Sequence, residues 1–248
     1  MNDSIPEIPK QWIKGLVPTL NDKGFMFEVL DEYADDFIQT AGASNDAALE
    51  IGCAYGVATI AALQAGATIT ACDMDQGHLD VLRSRIDDKL AARLTLQTGT
   101  LPDIDLPEAQ FSSLLCSRVL HFLSGEDIER SVQNMFRWLK PGGRLYLIAD
   151  TPFGIWRNFI PTWDENLAAG ERWPGFMIKP INYLPYEPSS EDIGPPIMNL
   201  MVPDLLRRTC EEAGFEVTRA SFIDRSDFGD RGQMDGRENC GIAAIKPT

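Results

Sequence analysis

A doubly wound α/β fold, with a mostly parallel sheet of about seven strands whose last strand runs antiparallel, is predicted by three observations. Short apolar or β-branched runs alternate with segments of helical period from residue 47 to residue 150. The first of those runs ends in a glycine turn that leads straight into a helix. Residues 203–248 then give a helix and two strands spaced as an antiparallel hairpin.

Residues 1–46 read as a helical N-terminal cap, because Met26, Val29, Leu30, Tyr33 and Phe37 make a helical stripe between Phe25 and Gln39. A core region, 47–150, follows. Ala47 to Gly52 is a short buried strand, and the small-residue helix from Tyr55 to Gln64 closes at Gly66, where left-handed backbone is favoured. Thr68 to Cys72 is β-branched and extended. One helix carries Leu79, Leu82, Ile86 and Leu90 at steps of three and four. Arg93 to Thr98 and Phe111 to Ser117 are the third and fourth strands. Ser124-Gly125-Glu126-Asp127 resembles a capping box with Asp in the place of Glu or Gln. Its helix is apolar at Ile128, Val132, Phe136 and Leu139, Lys140-Pro141-Gly142-Gly143 ends it, and Arg144 to Ala149 is the fifth strand. Parallel strands joined by helical crossovers place helices on both faces.

Residues 151–202 break this rhythm, with eight prolines and eight aromatic residues. So long an aperiodic stretch is expected to be a lid or sub-domain, and the substrate lid is expected to be built from it together with the N-terminal helix. The aromatics of this stretch are expected to enclose an apolar or cationic acceptor, to form a small core of their own, or to do both. Arg157, Arg172 and Lys179 face Asp164, Glu165, Glu171, Glu187, Glu191 and Asp192, a balance that disfavours highly phosphorylated substrates. Pro203 to Ala213 is a helix closed by Gly214, Phe215 to Phe222 is a strand, and a loop with Gly229, Gly232 and Gly236 leads to the last strand, Cys240 to Ile245.

Bulk chemistry excludes several function classes. The net charge of −15, from 37 acidic and 22 basic residues without a Lys/Arg run longer than two, argues against nucleic acid as a partner. No apolar run approaches the roughly 18 residues of a membrane span, and the start MNDSIPEIPKQWIKG has no secretory pattern. Five scattered cysteines without CxxC or zinc-like Cys/His spacing imply no metal and fit a reducing cytoplasm.

Two features carry chemistry. In Glu50-Ile51-Gly52-Cys53-Ala54-Tyr55-Gly56 a strand turns into a helix, whose N-terminus offers free N–H groups. A dinucleotide fingerprint would need glycine at Ala54 and Val57, and no Tyr-x-x-x-Lys pair is present, so an NAD-dependent oxidoreductase is disfavoured. Asp73 ends the second strand, 21 residues beyond Gly52, where a carboxylate can accept both hydroxyls of a ribose. Asp75 is a nearby alternative for another contact.

Together these residues resemble the class I S-adenosylmethionine-dependent methyltransferases, over Ala47 to Asp150 and more loosely over Pro203 to Ile245. The family's acidic-and-glycine motif is matched by Glu50, Gly52 and Gly56, and its ribose acid by Asp73. Gly99 with Phe111, Val119 to Leu123, Leu139 to Leu145 and Glu212-Ala213-Gly214-Phe215 match its later motifs. The middle glycine is Ala54, the acid often found after Gly99 is Thr100, and Ser112 replaces a common Asp.

The resemblance implies a Rossmann-like fold, S-adenosyl-L-methionine as cofactor, and direct SN2 transfer to a small molecule, to O or N rather than C. Alignment of donor and nucleophile supplies much of such a rate, so a dedicated base is optional. A catalytically silent adenosyl-binding or scaffolding domain is the alternative. By the same resemblance Glu50 orients the glycine turn or meets the cofactor's amino group. Gly52, Cys53 and Gly56 line its methionine and ribose, Asp73 accepts from the ribose, and Met74 is a further cofactor contact. Gly99, Thr100 and Leu101, or else Asp103, hold the adenine. Ser117 and Arg118 face the sulfonium side. His121 is the candidate base, with a pocket contact the competing role. His78 is expected to be exposed, and Asp150 to serve as a cap or loop contact.

Overall fold

The computed structural model describes residues 5–11, 15–187 and 194–248. It opens with an antiparallel ribbon of β1 (Leu16–Pro18) and β2 (Phe25–Phe27), not with a helix. Helix α1 (Glu32–Ala43) begins only after Asp31, whose carboxylate accepts from the amides of Tyr33 and Ala34. This cap corrects the expected helical start at Phe25. Met26 turns inward to pack with Val17, Tyr55 and Val81, while Val29 stays exposed.

The core alternates as expected through β3 (Ala48–Ile51), α2 (Val57–Gln64), β4 (Ile69–Asp73), α3 (Gln76–Ser84), α4 (Asp88–Ala91), β5 (Leu94–Thr98), β6 (Phe111–Ser117), α5 (Gly125–Trp138) and β7 (Leu139–Asp150). The helix expected to run unbroken past Ile86 is two helices. Asp87 is extended and caps the second by accepting from the Leu90 amide at 2.8 Å. Ser124 caps α5 through the Asp127 amide, and its hydroxyl donates to the Asp127 carboxylate at 2.8 Å. Strand β7 starts at Leu139, so Lys140 to Gly143 lie within it, and its register with β6 slips between Phe111 and Ser113.

After β7 come α6 (Ile160–Ala168), the antiparallel ribbon of β8 (Phe176–Ile178) and β9 (Ile197–Asn199), then α7 (Pro203–Glu212), β10 (Glu216–Ile223), α8 (Gly229–Gly232) and β11 (Asn239–Ile245). The seven-stranded sheet has the order β10-β11-β7-β6-β3-β4-β5. Only β11 runs against its neighbours, pairing antiparallel with both β7 and β10. Alternation along the strands feeds two cores. Leu114, Leu147 and Ile242 meet α5 and α7 on one face, while Leu115, Ile148 and Ala243 meet α1 and α2 on the other.

Within residues 151–202, Phe159, Trp163, Met177, Met198 and Leu200 bury one another, with Trp156 and Tyr183 packed alongside. Four aromatics of this segment therefore share a core of their own, while Trp173 packs on the main core and Phe153 on Phe222. Pro188, Glu191 and Asp192 lie outside the described residues. No helix among the described residues is long and apolar enough to cross a membrane.

Candidate functional site

Parallel strands end together, and the crevice beyond their carboxyl ends is where such sheets bind ligands. Here a cavity opens beyond β3, β4, β5 and β6, lined from the sheet side by Glu50, Gly52, Cys53, Asp73, Met74, Gly99, Thr100, Leu101, Ser117 and Arg118. The turn after β3 takes left-handed backbone at Gly52 (φ +77°), Ala54 (φ +42°) and Gly56 (φ +82°). A Cβ on Gly52 would come within 2.2 Å of the Val119 side chain. Gly56 does not line the cavity: a Cβ there would come within 2.2 Å of Leu82, so this glycine lets α2 pack against α3.

The Asp73 carboxylate is buried and closely held. Oδ2 accepts from the Ala54 amide at 2.9 Å, tying the end of β4 to the glycine turn. Oδ1 accepts from the Asp75 amide and from His78 Nδ1, each at 2.9 Å. Of about four acceptor positions on a carboxylate, three are filled, and one on Oδ2 is open. Asp75 instead caps α3 through the Gly77 amide.

Glu50 lies 5% exposed, and its carboxylate accepts from the Thr59 hydroxyl of α2. Burial pushes its pKa up to about 7; the Thr59 hydrogen bond opposes this, and the Asp73 charge adds to it. Burial likewise pushes the Cys53 thiol well above its usual range. Thr100 and Leu101 also line the cavity. Asp103 is not among the lining residues; it is exposed and pairs with Arg130 at 3.2 Å.

The opposite wall comes from the N-terminal part of the expected lid, as a ribbon and not as a helix. Residues 19–31, which we call the strap, supply Thr19, Gly24, Met26, Phe27 and Asp31 to the cavity. No described residue of 151–202 lines it, so of the two segments expected to build the lid only the N-terminal one borders this cavity. Arg118, at φ +58°, bonds Asp31 at 3.2 Å and Asn239 Oδ1 at 2.8 Å. Its guanidinium stands 4.3 Å from the Phe27 ring centre, and that of Arg225 stands 5.1 Å from the same ring. Burial lowers the proton affinity of Arg118, and Asp31 opposes the effect.

His121 is buried but does not line the cavity. Its Nδ1 accepts from the Asp150 amide at 3.1 Å, which places the proton of the neutral ring on Nε2. Burial lowers its proton affinity, opposed by the Asp150 charge. Asp150 itself accepts from Trp156 and Asn239, the loop role expected of it. His78 is 1% exposed, not solvated, and bridges Asp73 to the strap. The signal for it was its place five residues after Asp73 on an amphipathic helix. Among the described residues no three His, Cys, Asp or Glu gather as a metal site.

The family model described as a methyltransferase domain matches residues 48–143. Over 107 residues the chain is 32% identical to the cypemycin N-terminal methyltransferase of a Streptomyces species. That stretch is 42% of each protein, so the chain spans about two-fifths of this relative's length. A solved S-adenosylmethionine-dependent methyltransferase from Methanosarcina mazei superposes over 88% of this chain and 98% of its own, with TM-score 0.62 and 16% identity. The glycopeptide N-methyltransferase MtfA, crystallised with S-adenosyl-L-methionine, superposes over 86% and 92%, with TM-score 0.59 and 17% identity. At these identities the two solved structures share the fold.

Proposed function

We propose that this chain, whose residues 48–143 match the methyltransferase-domain model, is a class I methyltransferase that transfers the methyl group of S-adenosylmethionine to a small molecule. The observation that carries this reading is Asp73: a buried carboxylate, anchored to the glycine turn, with one acceptor position left open beside the cavity. The residues suit the donor's chemistry. Asp73 accepts from the ribose, and the Glu50 carboxylate, when ionised, meets the ammonium group. Main-chain groups at Thr100 and Leu101 hold the adenine, with Met74 and Gly99 against its faces. Cys53 and Gly52 border the methionine portion. Ser117 and Arg118 stand toward the acceptor, the Arg118 charge already balanced by Asp31.

When bound, S-adenosylmethionine supplies a methyl group activated by its sulfonium. What remains for the protein is to align the acceptor and to keep water out, a task that fits a cavity walled by Phe27, Phe122 and Met26. His121 stands outside this chemistry, since its Nδ1 is engaged and burial disfavours its cation.

The acceptor atom is nitrogen or oxygen. A peptide amine is the second reading, favoured by the name of the Streptomyces relative. Calorimetry with S-adenosylmethionine and S-adenosylhomocysteine tests the cofactor, and absence of binding by either removes it. Transfer of labelled methyl to a metabolite extract, set against transfer to a peptide library, separates the two acceptor classes. Donor binding without transfer to either set favours a silent binding domain.

A further inference from the structure

One imidazole joins the carboxylate at the end of β4 to the strap across the cavity. His78, on the first turn of α3, is 1% exposed. Its Nε2 accepts the Leu20 amide at 3.0 Å, so that nitrogen carries no proton. The hydrogen of the neutral ring therefore sits on Nδ1, which donates to Asp73 Oδ1 at 2.9 Å. Tyr55, from the glycine turn, packs edge-on to this imidazole with ring centres 5.1 Å apart. Its hydroxyl donates to the Pro18 carbonyl at 2.8 Å. The N-terminal ribbon is thus fastened at Pro18 and Leu20, both times by side chains from the elements that frame Asp73.

Filling space does not account for this arrangement. An apolar side chain could occupy the gap between α3 and the strap, whereas His78 has each ring nitrogen matched to a group of opposite character. Holding Oδ1 fixes the rotation of the Asp73 carboxylate and keeps the open position of Oδ2 beside the cavity. Holding Leu20 keeps Thr19, Met26 and Phe27 seated over the same space.

We propose that His78 is a positioning residue that couples seating of the strap to binding at Asp73. The proposal rests on the reading of Asp73 as the ribose acceptor. A ligand that meets a strap already seated has fewer groups to order on binding, and a bound ligand in turn gives the strap a surface to rest on. The two events favour one another.

Two substitutions cut the relay at opposite ends. His78→Asn keeps an amide donor where Nδ1 stood and is too short to reach Leu20. His78→Gln puts an amide oxygen near the place of Nε2 and loses the donor to Asp73. Amide exchange at Leu20, followed by NMR with and without S-adenosylhomocysteine, reads the result. In the wild type the nucleoside slows Leu20 exchange, and nitrogen correlation spectra show the proton of His78 on Nδ1. In His78→Asn, ligand-free exchange at Leu20 is about tenfold faster and the slowing by ligand is lost. In His78→Gln, Leu20 stays protected without ligand, while affinity for S-adenosylhomocysteine falls about five- to tenfold. Equal ligand-free exchange in wild type and His78→Asn, or a proton found on Nε2, overturns the latch. Ligand-induced slowing of the same size in all three proteins overturns the coupling. A wild type that binds no S-adenosylhomocysteine removes the cofactor reading, and the coupling with it, while ligand-free exchange still judges the latch.

Discussion

Asp73 and Glu50 lie in one cavity wall and are held in opposite ways. Asp73 is met by donors from three residues, Ala54, Asp75 and His78, and Glu50 by Thr59 alone. The charge on Asp73 is thus supported where that on Glu50 is penalised. Asp73→Asn keeps the size of the side chain and removes its charge. It is expected to weaken S-adenosylhomocysteine by about 1.5–3 kcal/mol in calorimetry, the scale of a charge-assisted hydrogen bond. Glu50 makes a pH prediction with a definite sign. Its pKa in the folded chain, about 7, lies above the ordinary carboxyl value. Its contribution is therefore fully present below the unfolded pKa and is lost as pH rises through the folded one. Glu50→Gln keeps an acceptor for Thr59 and abolishes that loss. Urea unfolding at pH 4.5 and pH 8.5 should show the variant gaining about 3 kcal/mol on the wild type across the interval. At this scale the sequence was informative about Asp73, because its distance from Gly52 has a physical meaning. It placed His78 five residues after Asp73 but held no sign of its partner Leu20, which lies 58 residues away and meets it only through the fold.

Strands and helices were legible wherever burial is one-sided or complete. Strand β3 is buried at all four positions and is bounded by a glycine turn, so it read clearly. The N-terminal ribbon did not. Met26, Leu30, Tyr33 and Phe37 happen to fall at helical steps, yet Met26 belongs to a strand and Tyr33 to a helix. The acid between them, Asp31, is both the cap of α1 and the partner of Arg118. These two duties can be separated. Asp31→Asn keeps a capping oxygen, whereas Asp31→Ala loses it and leaves the Arg118 charge buried without its acid. Cap loss alone costs about 1 kcal/mol, and an orphaned buried charge about 3–5 kcal/mol. Urea unfolding should therefore place Asp31→Ala at least about 3 kcal/mol below the wild type, and Asp31→Asn short of it by roughly the cap contribution.

The molecule as a whole divides its labour differently from the expectation that a long aromatic insertion is a lid. Residues 151–202 fold around Phe159 and Trp163, and Arg172 ties them to Glu129 on α5 and Glu212 on α7. The insertion broke the period of the sequence because it is a small core with its own short elements, and period alone does not tell such a core from a substrate cover. Trp163→Ala should destabilise the chain by about 3–5 kcal/mol in urea while calorimetry finds the affinity for S-adenosylhomocysteine unchanged. The wall it was expected to share with the N-terminal segment is lined by that segment alone among the described residues of the two. Phe27 rests between the guanidinium groups of Arg118 and Arg225. The strap thus cannot be fully seated until a residue nearly two hundred positions downstream has been made. Nascent chains stalled before Arg225 should be cut within residues 15–31 by a protease that spares the same bonds once synthesis is complete.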